Sequence, residues 1–122
     1  DPGVAQGAIK KCLTENIPYN ATVTVEFEEA AAGWSAPKTS TWLSDAITKA
    51  SSSFFNEKDC SMSEGGTIPF MAMLGERFPK AQFVITGVLG PGSNAHGPNE
   101  FLHISYAKKL TCCIASIVNE YN

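Results

Sequence analysis

Several features that would assign a protein to a familiar class are missing from this sequence of 122 residues. No apolar run approaches the roughly 20 residues that a membrane-spanning helix requires. Nine Lys and Arg residues against twelve Asp and Glu residues give a formal net charge of −3, the wrong sign for an electrostatic grip on phosphate backbones. We therefore expect a globular protein of one ordinary domain's length that binds neither membranes nor nucleic acid.

Spaced cysteine pairs and a leader segment are also missing. Cys12 and Cys60 stand alone and Cys112 is adjacent to Cys113, so the sequence has no C-x-x-C motif and no disulfide framework. The chain begins at Asp1 without the basic and apolar stretches of a signal peptide. These observations predict reduced thiols and a cytoplasmic protein. The missing initiator methionine also indicates a fragment.

No complete catalytic or zinc site can be assembled from the sequence. It lacks a G-x-S-x-G elbow, and its two histidines, His96 and His103, fall short of the three or four ligands of a zinc site. His103 lies beside the last predicted helix and is interpreted as an ordinary surface or partly packed residue. We therefore assign no catalytic residue to this chain.

What is present is a mixture of helical and strand-like patterns. Asp1 is predicted to cap a first helix with Pro2 at its first position, and Thr39, Ser40 or Thr41 to cap a second helix. The apolar stripe of that second helix runs from Trp42 to Phe54. A third helix is predicted to start at Pro69, and apolar spacing predicts a fourth from Ala107 to Tyr121. Residues 21–27 alternate between apolar and polar, and residues 83–88 are apolar nearly throughout, which predicts two strands. The order of elements favours an α/β fold, a partial sheet flanked by helices.

The first loop whose residues suit ligand binding precedes the predicted helix at Pro69. Gly65 and Gly66 allow a ligand to approach the backbone, and the free N–H groups of the helix start, with the Thr67 hydroxyl, suit a carboxylate or phosphate. Glu64 adds a negative charge that suits an ammonium group, so the set fits an amino acid or peptide. The alternative is an ordinary glycine turn with Glu64 as a surface charge.

The second loop spans residues 90–100 and follows the predicted strand 83–88. Ligands of open α/β sheets bind beyond the carboxyl ends of strands, which is where this loop belongs. Its His96 lies between Ala95 and Gly97, so the ring is accessible as a metal ligand or an acid-base group. The alternative is a solvated histidine without a function, because a metal site needs several ligands.

The motifs EGGTIP (residues 64–69) and NAHGPNE (residues 94–100), in this order around a buried strand and before a long helix, resemble a known family. It is the zinc metallopeptidase family that includes carnosinase, cytosolic non-specific dipeptidase, carboxypeptidase G and succinyl-diaminopimelate desuccinylase. The resemblance implies the C-terminal portion of a zinc-peptidase catalytic domain. Residues 1–17 then correspond to the last helix of the lid (dimerisation) domain, and residues 18–122 to the catalytic segment.

The resemblance also implies roles for individual residues. His96 matches the final zinc ligand, and Gly65, Gly66 and Thr67 belong to the turn that binds the terminal carboxylate of the substrate. Glu64 matches the acid that faces the free amino group in the dipeptidase branch. The family binds two zinc ions, but its H-x-D motif, bridging aspartate and Glu-Glu pair have no counterpart here, so the chain carries one zinc ligand and no catalytic base.

Two functions follow as expectations. The first is a fragment of a dinuclear zinc peptidase that acts on dipeptides or short peptides, is inactive alone, and forms a homodimer through the lid when complete. The second is a self-sufficient, non-catalytic binding module that holds an anionic ligand at the Gly65-Gly66 turn. The sequence upstream of Asp1 distinguishes them.

Overall fold

A computed structural model describes residues 1–28, 30–63 and 69–121, and the described part of the chain is helical. The four helices are α1 (Pro2–Thr14), α2 (Thr41–Phe55), α3 (Pro69–Arg77) and α4 (Ile104–Asn119), with a short 3-10 turn at Pro18–Asn20. Each lies where the apolar spacing predicts a helix. None of the described helices has both the length and the apolar character needed to cross a membrane.

The chain divides into two compact units, and the first comprises Asp1–Ala36 and Glu64–Lys80. Helix α1 begins as predicted, because the Asp1 carboxylate accepts a hydrogen bond from the Val4 N–H (3.1 Å) and Pro2 occupies the first helical position. Neither α1 nor α3 contains a buried residue. The Trp34 indole lies against Gly75, where an added Cβ would be 2.8 Å from the indole nitrogen, so this packing requires glycine.

The second unit, Pro37–Ser63 and Ala81–Asn122, contains the hydrophobic core. Helices α2 and α4 pack against each other, the one helix pair that does so among the described residues. Small side chains on α2 let the helix axes approach, and the Cys113 thiol donates to the Ala50 carbonyl oxygen at 3.5 Å. At the edge, Lys49 pairs with Glu120 at 2.6 Å. The buried core residues are Leu43, Ala46, Ala50, Cys113 and Ile117.

The predicted α/β fold, a partial sheet flanked by helices, is wrong for this structure: no strand or sheet forms among residues 1–28, 30–63 and 69–121. The predicted strands 21–27 and 83–88 belong to different units, and each is irregular. A strand is stable only beside other strands, and the described residues of either unit provide none. Their apolar side chains are accordingly half exposed, for example Val23 (39%), Phe27 (42%) and Ile85 (56%). The sequence patterns of residues 21–27 and 83–88 thus indicate segments that could form strands but lack a described strand to pair with.

Candidate functional site

Four of the five predicted site residues, Glu64, Gly65, Gly66 and Thr67, lie outside the residues that the structure describes. The helix predicted to follow them does begin at Pro69, as α3. The structure therefore places one predicted site residue, His96, which lies on the loop of residues 90–100.

The loop begins with a four-residue turn, Gly90 to Ser93. The Ser93 N–H donates to the Gly90 carbonyl oxygen (3.1 Å), and Gly92 has a φ of 78°, so Pro91 and Gly92 occupy the second and third positions as in a type II turn. The Ser93 hydroxyl donates to the same carbonyl at 2.8 Å, and only 5% of the residue is exposed. Ser93 thus anchors the loop, and its carbonyl oxygen accepts from the Phe101 N–H (3.2 Å) at the loop's end.

A second turn, Asn94 to Gly97, follows at once and carries the histidine. The Gly97 N–H donates to the Asn94 carbonyl oxygen at 2.9 Å, and His96 occupies the third position with a φ of 62°. Turns with positive φ at that position favour Gly or Asn, because other residues pay a steric penalty there. The Asn94 side-chain amide donates to the Pro98 carbonyl oxygen at 2.6 Å and so spans the turn. The histidine therefore sits in a tightly bonded loop.

The His96 side chain is exposed, and its ring nitrogens make no hydrogen bond with any described residue. An imidazole with both nitrogens free can bind a metal ion or accept a proton. The loop bonds involve backbone atoms and the side chains of Ser93 and Asn94, so none of them occupies the ring. The loop therefore exposes one imidazole that none of the described residues engages and that can act as a ligand.

The described residues do not form a metal site of their own. No group of three His, Cys, Asp or Glu side chains comes together within residues 1–28, 30–63 and 69–121 in a way that could hold a metal ion. A zinc site requires four protein ligands, or three protein ligands and a water. His96 therefore fits the role of a single ligand and no more. The described cysteines, Cys12, Cys60, Cys112 and Cys113, are free thiols, and Cys113 is buried.

The interpretation of His103 as an ordinary surface or partly packed residue overlooked its structural role. Its Nδ1 caps α4 by accepting from the Tyr106 N–H at 3.4 Å, and it also pairs with the Ser105 hydroxyl at 3.0 Å. The side chain lines an open groove of about 480 Å³ together with Lys109, whose ammonium lies 5.6 Å from the centre of the Phe55 ring. The position immediately before a helix was the sequence signal for this cap.

Comparison with known protein families shows that the chain is related to peptidases, enzymes that hydrolyse peptide bonds. The sequence model of peptidase family M20/M25/M40 matches residues 1–120, and the chain belongs to this family. The predicted relationship to a peptidase family is thereby confirmed at this level. A search of curated proteins found no match.

Proposed function

We propose that this chain is the C-terminal part of a dinuclear zinc peptidase of the dipeptidase branch, which hydrolyses dipeptides or short peptides. Residues 1–17 are then the last helix of the lid domain, and residues 18–122 the C-terminal segment of the catalytic domain. The observation that carries the proposal is the exposure of His96: its imidazole makes no hydrogen bond with the described residues and lies on a loop that is closed by its own backbone and side-chain hydrogen bonds. The family match over residues 1–120 supports it.

In this proposal each site residue has one task. His96 supplies one ligand of the zinc pair, and the other ligands come from sequence outside this chain. Zinc in such sites lowers the pKa of a bound water and polarises the scissile carbonyl. Gly65, Gly66 and Thr67 bind the terminal carboxylate of the substrate, and Glu64 binds its free amino group. Because the chain contributes no catalytic base, it is inactive alone.

The proposal extends to assembly and location. The complete protein forms a homodimer through its lid domain and acts in the cytoplasm, without membrane or nucleic-acid partners. Helix α1 supports the lid assignment, because Val4, Ile9 and Leu13 on it are exposed by 72%, 51% and 51%. A helix with such an apolar surface is expected to pack against further residues in a larger protein.

Substrate discrimination by Glu64 tests the dipeptidase assignment. In the full-length protein, Glu64→Ala is expected to lower kcat/KM for dipeptides with a free amino terminus and to spare their N-acylated analogues. Thr67→Ala is the matched control, because loss of a carboxylate contact should weaken both substrate classes equally. Equal losses for both classes with Glu64→Ala would refute the assignment. The 122-residue chain, assayed with added zinc or manganese, should show no chelator-sensitive hydrolysis.

A non-catalytic binding module is the second candidate, in which the Gly65-Gly66 turn holds an anionic ligand. The described residues bring no three metal-binding side chains together, which fits this candidate and the peptidase proposal equally. The upstream reading frame separates the two candidates. An H-x-D motif and a Glu-Glu pair encoded before Asp1 support the peptidase, whereas their absence from the full-length protein supports the module.

A further inference from the structure

The contact between Asn94 and Gly97 has a consequence for the histidine between them. A Cβ added to Gly97 would lie 2.6 Å from Nδ2, 2.7 Å from Oδ1 and 2.8 Å from Cγ of Asn94, all far inside van der Waals contact. The backbone of Gly97 is not in the left-handed region, so its own conformation does not require glycine. A larger residue at position 97 would therefore force the Asn94 side-chain amide to shift from the place it occupies beside Gly97.

The Asn94 side chain occupies that space because it spans the turn. Its Nδ2 donates to the Pro98 carbonyl oxygen at 2.6 Å, across the three residues Ala95, His96 and Gly97. Asn94 itself has a φ of 55°, a conformation that asparagine tolerates better than most residues. The bond therefore ties both ends of the strained segment together from an exposed position that contributes nothing to the core.

We propose that Asn94 and Gly97 form a positioning pair that holds the His96 backbone in its left-handed conformation and thereby aims the imidazole. Asn94 supplies the hydrogen bond across the turn, and Gly97 supplies the space that this side chain fills. Neither residue binds metal or substrate. The functional meaning of the pair rests on the proposed role of His96 as a zinc ligand, whereas its effect on the His96 backbone does not.

The pair is tested by a double-mutant cycle in the full-length protein, with Gly97→Ala, Asn94→Gly and the double variant. Zinc affinity is measured by competition with a chromophoric chelator, and the His96 backbone is followed by its amide–Hα scalar coupling. Each single variant is expected to lower zinc affinity about 10-fold or more, as for other residues that orient metal ligands. Adding Gly97→Ala to Asn94→Gly should cost little further, because the clash partner is gone.

Two control substitutions isolate the effect. Gly90→Ala makes the same change in the same loop where an added Cβ meets nothing within 4 Å, so it should leave zinc affinity unchanged. Asn99→Gly is the matched change at an asparagine with a φ of 58° whose side chain makes no hydrogen bond with the described residues, so it should affect zinc affinity less than Asn94→Gly does. Thermal midpoints recorded on every variant separate loss of positioning from loss of folding.

Independent, additive effects of Gly97→Ala and Asn94→Gly on the His96 coupling would overturn the positioning pair. If Gly97→Ala fails to fold, Asn94→Gly alone decides, because an unchanged His96 coupling in that variant refutes the inference. His96→Ala identifies the other failure: unchanged zinc affinity there contradicts the proposed function, and the coupling measurements still decide whether the pair sets the backbone.

Discussion

Replacement of His96 by glycine is expected to stabilise the protein while it removes the proposed zinc ligand. His96 has a φ of 62° at the third position of its turn, where the preceding turn places Gly92 with a φ of 78°. The two turns are consecutive and alike in their closing hydrogen bonds, at 3.1 and 2.9 Å. Position 96 therefore carries a side chain at a site where glycine removes the steric conflict.

The size of the gain follows from two opposing terms. A left-handed conformation costs a residue with a Cβ about 1–2 kcal/mol, and histidine is among the more tolerant types. Relief of this steric cost stabilises the His96→Gly variant, but glycine also makes the unfolded chain more flexible, which reduces the stabilisation by about 0.5–1 kcal/mol. The exposed imidazole makes no hydrogen bond with the described residues that would be lost. The net expectation is a stabilisation of about 0.5–1 kcal/mol, or a few degrees in Tm for a domain of this size.

Urea denaturation measures this gain as a higher midpoint at an unchanged m-value. His96→Ala is the matched control, since it removes the imidazole but keeps the Cβ and should give no stabilisation. Gly92→Ala should act in the opposite direction and lower the free energy of unfolding by about 1–2 kcal/mol, because it introduces the same conflict in the first turn. A His96→Gly variant less stable than His96→Ala would refute the strain argument.

Three further substitutions or modifications test the second unit. Leu43→Ala should lower the free energy of unfolding by about 2–5 kcal/mol, measured in urea, because Leu43 is only 2% exposed between α2 and α4. Lys49→Ala should cost less than about 1 kcal/mol, and a high-salt comparison should shrink the effect, because its bridge to Glu120 lies at the surface. Burial, with the neighbouring thiol of Cys112 adding to it, raises the pKa of Cys113 above its usual 9.0, so iodoacetamide should label Cys113 more slowly than Cys12. The same shift favours the neutral thiol in the folded state, so its contribution to stability is complete below pH 9.0 and is lost as the pH rises beyond it.

The helices could be predicted from the sequence because their determinants are local. Asp1 and Pro2 set the start of α1, and Pro69 sets the start of α3. The start of α2 was predicted only in part: Ser40 is the N-cap, but its hydroxyl makes no capping bond, and its N–H instead donates to Gln82 Oε1 at 2.6 Å. That bond joins residues 42 positions apart, a contact that no local pattern contains.

The lack of strands among the described residues could not be predicted from the sequence, because strand formation depends on neighbouring strands. Residues 83–88 have the composition of a buried strand, yet Val84, Ile85 and Val88 are exposed by 40%, 56% and 36%. Apolar composition shows which side chains a segment could bury. Whether they are buried depends on which residues pack against the segment in the structure. The same limit applies to His96, whose accessibility was predicted from its small neighbours but whose left-handed backbone was not.

The metal content of a His96→Ala variant tests whether His96 is a zinc ligand. The full-length protein is loaded with zinc and washed, and metal per chain is determined by elemental analysis alongside a dipeptide hydrolysis assay. Loss of one protein ligand from a zinc site lowers affinity and disturbs geometry together. We expect the metal content to fall from two ions toward one per chain and turnover to drop by orders of magnitude. The thermal midpoint should be retained, because the exposed imidazole is not part of the hydrophobic core. Two retained zinc ions with near-normal turnover would contradict the role of His96 as a zinc ligand.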